Sequence, residues 1–193
     1  MPEIEELHYI TSIENISSIM KHGILCHNDV QKLDHIDISM DEVQQRRANK
    51  KVPNGLDLHD YANLYFDAHN PMLSKRRQQN SNLCILRIDN RVLNLEGVVL
   101  SDRNASSDYV RFSGYPDGLS NLDFETIFGP FWTSDDPFEY LSKKSIKCAE
   151  VLVPKLVNPA MITGAYVYSR TAGQKLIKAG FSLPITIKNS MFF

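Results

Sequence analysis

The chain has 193 residues, with 23 Asp or Glu against 21 Lys or Arg, so its formal net charge is only −2. With 42% hydrophobic and 23% charged residues, the composition is globular and excludes a disordered chain, a collagen-like repeat and a disulfide scaffold. Near-neutrality excludes a protein that coats nucleic acid by charge alone, but it is compatible with a local basic groove. No run of about 18 apolar residues and no signal peptide are present, so we expect a cytoplasmic protein without a membrane partner.

The N-terminal segment predicts a strand followed by a helix. Residues 7–10 alternate as a strand does, and Thr11 and Glu14 have the spacing of a capping box. Isoleucines then recur at helical intervals, and Gly23 is well placed to end the helix. The sequence therefore predicts that a helix starts directly after the first strand.

A second capping box, Ser39 to Glu42, predicts a helix through about residue 49. One face of this helix carries Met40, Val43 and Arg47. An arginine on an apolar face either extends its charge to the rim or points into a cleft, and the helix alone does not decide between the two.

Further strands are predicted at residues 83–88, 98–100, 146–153, 161–168 and 185–187. The polar stretch 101–121 between them is typical of a functional loop. Because no repeat, linker or composition break interrupts the chain, we expect one α/β or α+β domain over residues 1–193.

The predicted strand 146–153 carries a carboxylate on a largely apolar face. Its alternation places Glu150 on the same face as Ile146, Cys148 and Leu152. Burying an unpaired charge costs roughly several kcal/mol. Glu150 is therefore either a salt-bridged structural residue or an active-site carboxylate held by a rigid strand.

Metal and nucleotide motifs are absent from the sequence. His22 and His27 near Cys26 lack the spacing of a zinc site, and the glycine patterns of serine hydrolases, P-loop proteins and Rossmann enzymes do not occur. The basic residues instead gather in three segments: 46–51, 75–77 and 143–147. Tyrosines and other aromatics lie between them, which fits either single-stranded nucleic acid or a solvated surface above core aromatics.

Five segments read together resemble the DarT family of bacterial toxin DNA ADP-ribosyltransferases. They are LHYITSIENISSIMKHGIL (7–25), EVQQRRANKKVP (42–53), LHDYANLYFDAHNPML (58–73), LSDRNASSDYVRF (100–112) and KSIKCAEVLVP (144–154). The resemblance implies the ADP-ribosyltransferase fold, a split mixed sheet with flanking helices around an NAD cleft. It also implies NAD as co-substrate, no metal, and a base of single-stranded DNA as acceptor.

The resemblance further implies an antitoxin that removes the modification, a macrodomain or a related ADP-ribose hydrolase. From the length we expect one transferase domain without an appended antitoxin. Within the family, the HYIT order and the segment DRNASSDYVRF favour guanine over thymine as the acceptor.

The resemblance assigns roles to individual residues. Glu150 occupies the catalytic glutamate position, and the family's arginine matches Arg46 or Arg47, of which Arg47 is preferred because its helix phase turns it inward. The expected NAD-binding residues are Arg47, His8, Tyr9, Thr11, Asn15, Tyr61, Tyr65 and Met72. Tyr9 stands where many relatives carry the histidine, which leaves His8 and Tyr9 as alternatives for that position. The expected DNA contacts are Lys75, Arg76, Arg103, Asn104, Tyr109 and Arg111.

Three alternatives stay open at the level of sequence. The first is an enzyme of the same fold whose acceptor is RNA or protein; labelling with tagged NAD distinguishes these acceptors from DNA. A non-catalytic nucleic-acid-binding module would bind strands in a salt-dependent way without consuming NAD. A protein that only binds an antitoxin would show no thermal stabilisation by NAD.

Overall fold

An eight-stranded mixed sheet forms the centre of the molecule, which a computed structural model describes over residues 3–193. The strands of the chain are β1 (Glu6–Ser12), β2 (Ile24–Leu25), β3 (Tyr61–Tyr65), β4 (Leu83–Asp89), β5 (Val99–Ser101), β6 (Phe112–Gly114), β7 (Glu150–Pro154), β8 (Leu156–Val157), β9 (Ile162–Val167) and β10 (Ile185–Ile187). The order in the large sheet is β10-β9-β4-β1-β3-β7-β5-β6, while β2 and β8 form a separate pair. Within the large sheet, β9 and β10 are parallel and the other neighbours are antiparallel.

Seven helices flank the strands in the described part of the chain. They are α1 (Ile16–His22), α2 (His27–Val30), α3 (Asp41–Ala48), α4 (Pro71–Lys75), α5 (Phe124–Phe128), α6 (Pro137–Ile146) and α7 (Arg170–Lys178). Within residues 3–193, none of these helices combines the length and the apolar character needed to span a membrane.

The large sheet is nearly divided between β1 and β3. These two strands pair at a single position, His8 with Tyr65, whereas β1 pairs with β4 along its whole length from Glu6 to Ser12. On the other side of the division, β3 pairs with β7 over all five of its residues. The two halves therefore separate beyond His8 and leave a gap in the sheet. This architecture confirms the predicted split mixed sheet with flanking helices.

The apolar core lies on both faces of the sheet. Its largest cluster includes Leu7, Ile88 and Val151 from the sheet and Ile16 and Leu176 from the helices α1 and α7. A smaller cluster on the opposite face includes Ile10, Ile85 and Tyr65 from both halves of the sheet, together with Cys148 from the turn before β7. Packing on two faces keeps the half-sheets in place although few backbone bonds join them.

The predicted strand 146–153 is wrong in its first half. Residues 137–146 form α6, and β7 begins only at Glu150. The side chain of Asp136 accepts hydrogen bonds from the backbone N–H groups of Phe138 and Glu139, and Pro137 occupies the first helical position. Such a well-capped start stabilises a helix, which here outweighs the strand preference of the last residue, Ile146.

Two predicted capping boxes are also wrong, although both helices exist. Thr11 belongs to β1, and the neighbouring Ser12 caps the short 3-10 turn that precedes α1. At α3 the cap position is Met40, which makes no side-chain bond, and the hydroxyl of Ser39 is buried away from the helix donors. Gly23 ends α1 as predicted, with a positive φ of 86°.

The remaining predictions differ in detail. The strands predicted at 83–88, 98–100, 161–168 and 185–187 are confirmed within one or two residues. The polar stretch 101–121 is not loop throughout, because it contains β6 and a 3-10 turn at Asp117–Asn121. The helix α7, which follows the capping residue Ser169, lacks a predicted counterpart.

Glu6 ties three strands together at the outer half of the sheet. Its carboxylate accepts hydrogen bonds from Arg87 Nε at 2.6 Å and Tyr166 Oη at 2.7 Å, and it lies 3.2 Å from His8 Nε2. Burial raises the pKa of Glu6, but the bonds to His8, Tyr166 and Arg87 lower it more, from an ordinary 4.5 to about 2. The folded state therefore favours the ionised carboxylate.

We expect Glu6→Gln to remove an acid-dependent part of the stability. Because the folded pKa is below the unfolded one, this contribution is present above about pH 4.5 and is lost as the pH falls to about 2. Thermal unfolding across this window should show the variant less stable than wild type at pH 7 and equal to it near pH 2. A constant difference across the window would contradict the prediction.

Candidate active site

A cleft of about 640 Å³ opens where the two halves of the sheet separate. Its walls include Tyr9 and Thr11 from β1 and the alternating side chains of β3, which are Tyr61, Asn63 and Tyr65. This volume lies within the usual range of pockets for small molecules and cofactors, roughly 300–1,000 Å³. A mostly apolar cleft with a few polar groups is suited to a ligand that carries both rings and hydroxyls.

Glu150, the first residue of β7, lies behind the wall of this cleft, next to Arg47 and Tyr65, which both line it. Its backbone is paired with Tyr65 on one side and Ser101 on the other, and its side chain is fully buried. The Oε1 atom accepts a hydrogen bond from the backbone N–H of Ala105 at 2.9 Å. The carboxylate is thus held in place by a central strand and by the loop after β5.

Arg47 is the charged partner of Glu150. Its Nη1 atom donates to Oε2 at 3.0 Å and to Oε1 at 3.2 Å, across 103 positions of sequence. Arg47 is itself buried and also lines the cleft, so it lies between the carboxylate and the ligand space. Because Oε1 is shared with Ala105, Oε2 is the atom with more capacity to accept a further bond from a ligand.

The phase of α3 separates the two candidate arginines. Arg47 points inward from the last turn of α3, whereas Arg46 is exposed at the rim of the cleft. The predicted preference for Arg47 as the inward arginine is confirmed in placement. The inward orientation of Arg47 also depends on where α3 lies, and α3 is positioned by contacts with the segment 58–60.

The loop 102–111 is braced against the rest of the site. The Ser101 hydroxyl accepts a bond from Glu150 N–H at 3.1 Å and donates to the Arg103 carbonyl at 2.8 Å. Asp102 accepts from the backbone N–H of Arg111 at 2.9 Å, and the Lys50 ammonium donates to the Ser107 carbonyl. These bonds fix the position of the Ala105 N–H that holds Glu150.

Two tyrosines in the cleft keep their hydroxyl protons near neutral pH. Burial, followed by the charge of Asp37, raises the pKa of Tyr9 to about 12. Burial, followed by the charge of Glu150, raises the pKa of Tyr65 well above its ordinary value. Both side chains therefore offer hydrogen-bond donors to a ligand and add no negative charge to the cleft.

Two histidines are stacked beside α3. The rings of His27 and His59 lie 4.1 Å apart, and His59 Nε2 is 3.0 Å from Gln44 Oε1. Burial lowers the pKa of His27, and the charge of Arg47 lowers it further, while Asp37 partly opposes the shift. Burial also lowers the pKa of His59, to which the neighbouring His27 and Arg47 add. The pair is therefore mainly neutral at pH 7.

A segment that we call the strap, residues 31–40, covers one side of the cleft. Asn15 holds its middle through two bonds with the backbone of Ile36: its Nδ2 donates to the carbonyl at 2.9 Å and its Oδ1 accepts from the N–H at 2.8 Å. Arg76 holds its end by donating to the carbonyls of Ile38 at 2.8 Å and Ser39 at 2.7 Å. Side chains from elsewhere in the chain thus position the strap over the ligand space.

We expect Asn15→Ala to loosen the strap. Losing two bonds, each contributing about 0.5–1.5 kcal/mol, should accelerate hydrogen exchange of the Ile36 amide in the NAD-free protein and raise the KM for NAD roughly five- to tenfold. Glu14→Ala, at the exposed neighbouring position, serves as the control and should change neither quantity. Unchanged exchange at Ile36 in Asn15→Ala would show that the strap is held by other contacts.

The predicted NAD-binding residues converge on the cleft with one exception. Tyr9, Thr11, Asn15, Arg47, Tyr61, Tyr65 and Met72 all line it. His8 is buried on the opposite face of β1, against Glu6 and Tyr166. Of the two alternatives, Tyr9 is therefore the residue at the cleft, and the ligand roles themselves stay predictions.

The predicted DNA-contacting residues are more dispersed. Asn104, Tyr109 and Lys75 lie along the cleft, where Tyr109 is 81% exposed. Arg103 and Arg111 flank the buried carboxylate of Asp102. Arg76 also lines the cleft, but its Nε and Nη2 atoms bind the strap, so a DNA contact would have to use its remaining N–H groups.

The prediction that all members of the basic clusters are surface cations is wrong for Lys147. Lys147 is fully buried, and its ammonium donates to Asp67 at 2.5 Å and to the Ile127 carbonyl at 2.6 Å. This buried pair joins α5 to the end of β3 and leaves no free charge for a phosphate. Its position close to Lys143 and Lys144 in sequence, both only half-buried, gave no indication that Lys147 is fully buried.

Sequence reasoning missed three groups of the site. Asn63 projects into the cleft between Tyr61 and Tyr65, and the period of two in YANLY was enough to identify it. Ser101 and the backbone N–H of Ala105 support Glu150, and nothing local in the sequence marks them for that role.

The described residues hold no evident metal centre. Within residues 3–193, His, Cys, Asp and Glu side chains form no group of three suited to a metal ion. In the segment considered from sequence, His27 stacks on His59, and Cys26 donates to Asp29 Oδ2 at 3.3 Å.

The arrangement suits chemistry in which positive charge develops on a bound ligand. A rigid carboxylate, oriented by an arginine and a backbone N–H, can support such charge without reorganising. Its isolation from water strengthens that electrostatic effect. The surrounding tyrosines supply ring faces and hydroxyl donors for the remainder of the ligand.

Comparison with known proteins links this site to a family. The model described as "ssDNA thymidine ADP-ribosyltransferase, DarT" matches residues 8–193. A DNA ADP-ribosyl transferase from Thermus sp. (strain 2.9) is 32% identical over 92% of this chain and 88% of its own length. A DNA ADP-ribosyl transferase–DNA ADP-ribosyl glycohydrolase fusion protein from Thermosipho africanus is 28% identical over the whole of this chain, which spans about half the length of that relative.

Solved structures agree in fold. Thermus sp. 2.9 DarT in complex with ADP-ribosylated single-stranded DNA superposes with a TM-score of 0.87 at 27% identity, covering 100% of this chain and 98% of that one. Thermus sp. 2.9 DarT in complex with NAD⁺ gives 0.82 at 25% identity, covering 100% and 99%. The predicted ADP-ribosyltransferase fold is confirmed. Because the family model matches residues 8–193, which is nearly the whole chain, the chain belongs to the DarT family of single-stranded DNA ADP-ribosyltransferases.

Proposed function

We propose that this protein transfers ADP-ribose from NAD to a base of single-stranded DNA, with Glu150 as its catalytic carboxylate. The observation that carries the proposal is the buried Glu150–Arg47 pair, whose arginine lines the cleft, in a chain of the DarT family. The similar Thermus protein has been solved with NAD⁺ and with ADP-ribosylated single-stranded DNA, which supports the same co-substrate and product here.

In the proposed reaction, the bond between nicotinamide and ribose C1′ breaks, and nicotinamide leaves with the bonding electrons. Positive charge develops on the ribose, and the Glu150 carboxylate supports it through the ribose hydroxyl. A base nitrogen then forms the new bond to C1′ and loses its proton, which Glu150 or solvent accepts. Arg47 bonds to Glu150 and lines the cleft, which supports a proposed contact of its guanidinium with the NAD phosphates.

The acceptor is proposed to be guanine or thymine. The order HYIT and the segment DRNASSDYVRF favour guanine, whereas the matching family model is described by thymidine. The two bases therefore form the two principal arms of the experiment below.

We further propose that the protein acts as the toxin of a toxin–antitoxin pair. The Thermosipho relative combines a DNA ADP-ribosyl transferase with a DNA ADP-ribosyl glycohydrolase in one chain, which supports a hydrolase as the partner here. Co-expression with such a hydrolase should restore growth to cells in which the transferase alone is harmful.

The direct test is incubation with NAD and single-stranded oligonucleotides, each with one type of acceptor base in varied context. The expected product is heavier by one ADP-ribose unit, and digestion to nucleosides with mass spectrometry identifies the base. Labelling of RNA or protein by tagged NAD, with all DNA arms negative, would overturn the DNA assignment. Strand binding without NAD consumption would overturn the enzymatic one.

A further inference from the structure

The solvent side of α6 carries apolar side chains that the fold does not use. Phe138 is 84% exposed and Leu141 is 59% exposed, and their spacing of three residues places them on one face of the helix. Contiguous exposed apolar surface on a folded domain commonly marks a binding site. The core packing of α6 does not account for either residue.

This face of α6 leads directly into the cleft. Leu141, Lys144 and Ser145 line the cleft together with Tyr109, which is 81% exposed. The Ser145 carbonyl accepts a hydrogen bond from Asn104 N–H at 2.9 Å, so the end of α6 is fixed to the loop that carries Tyr109. We call Tyr109, Leu141, Phe138 and Lys144 the α6 strip.

The charges around the α6 strip favour one orientation of a bound strand. Lys144 has no carboxylate partner among the described residues and lies over the Tyr140 ring at 5.5 Å. At the other end, Asp136 caps the helix and Glu139 pairs with Lys143 at 2.8 Å. Phosphates are therefore attracted to the Lys144 end, while Phe138 and Tyr109 offer uncharged ring faces for bases.

We propose that the α6 strip binds the nucleotides that flank the acceptor base, with bases stacked on Tyr109 and Phe138 and a phosphate next to Lys144; this rests on the proposed DNA substrate. Aromatic faces combined with cations are the usual means of holding a single strand, and stacking on them tolerates different bases. Its continuity with the cleft matches a strand that extends beyond the reacting nucleotide.

The test compares Phe138→Ala with wild type on a long single-stranded oligonucleotide and on a dinucleotide that contains the acceptor base. We expect the KM for the long strand to rise about tenfold, since stacking contributes strongly to such binding. The KM for NAD, the kcat, and the KM for the dinucleotide should stay unchanged. Ile177→Ala, at a 61% exposed position of α7, is the matched control and should resemble wild type throughout.

Two results would overturn the proposal. One is an unchanged KM for the long strand in Phe138→Ala and in the double variant Phe138→Ala, Leu141→Ser. The other is that these changes abolish self-association or hydrolase binding instead, in sedimentation experiments, with DNA binding intact. Fluorescence anisotropy of labelled single strands, without NAD, measures strand binding to the α6 strip directly. This test therefore remains informative even if the wild-type protein transfers no ADP-ribose.

Discussion

Glu150→Gln is expected to lower the rate of ADP-ribose transfer by about a hundredfold to a thousandfold, the usual effect of removing one preorganised electrostatic group. Glutamine keeps nearly the same shape, and its amide oxygen can still accept the bond from the Ala105 N–H. What it removes is the negative charge that we propose supports the developing ribosyl cation. The loss should therefore appear in kcat with NAD and oligonucleotide both saturating, and binding of NAD should be retained.

A matched control is available in Glu6, another carboxylate of the large sheet that is mostly buried and bonded to an arginine. It lies in the opposite half of the sheet, on β1, and bonds to Arg87, His8 and Tyr166 rather than to α3. Glu6→Gln should keep kcat at pH 7 near that of wild type. Wild-type kcat in Glu150→Gln, with the product verified by mass, would exclude Glu150 as the catalytic residue.

Arg47→Met is expected to destabilise the protein by about 3–5 kcal/mol, because it leaves the Glu150 charge buried without its partner. Methionine fills much of the same volume, so the loss does not arise mainly from a cavity. Chemical denaturation at pH 7, with the free energy of unfolding extrapolated to water, measures the effect. Transfer activity should be lost as well, since Glu150 would lose its orientation.

The double variant Arg47→Met, Glu150→Gln separates the two contributions. With both charges absent, most of the lost stability should return, because replacing a buried ion pair by uncharged groups is often nearly neutral. Activity should not return with it. A loss of stability below about 1 kcal/mol in Arg47→Met would contradict the prediction. It would mean that water or another cation compensates the buried charge of Glu150.

The strap illustrates how the structure changes the interpretation of predicted ligand residues. Asn15 and Arg76 stand out in sequence as polar groups near the site, one expected at NAD and the other at DNA. Both bind backbone groups of residues 36–39. Their first role is thus to position a segment of the cleft wall, and any ligand contact is made from that arrangement.

Local sequence alone determined much of this protein. Short segments rich in apolar residues predicted β4, β9 and β10, and the glycine at position 23 predicted the end of α1. The helical phase of α3 favoured Arg47 over Arg46 as the inward residue. Each of these depends on interactions within a few residues, which periodicity and capping chemistry describe. The five family segments added the fold and identified Glu150 as the carboxylate to examine.

Only the tertiary structure decided which groups meet. The bond from Arg47 to Glu150 spans 103 positions, that from Ala105 spans 45, and the buried Lys147–Asp67 pair spans 80. The single pairing position between β1 and β3, which opens the cleft, likewise depends on how two half-sheets pack. Such contacts are set by strand order and by the packing of distant segments, and neither leaves a periodic trace in the neighbouring residues.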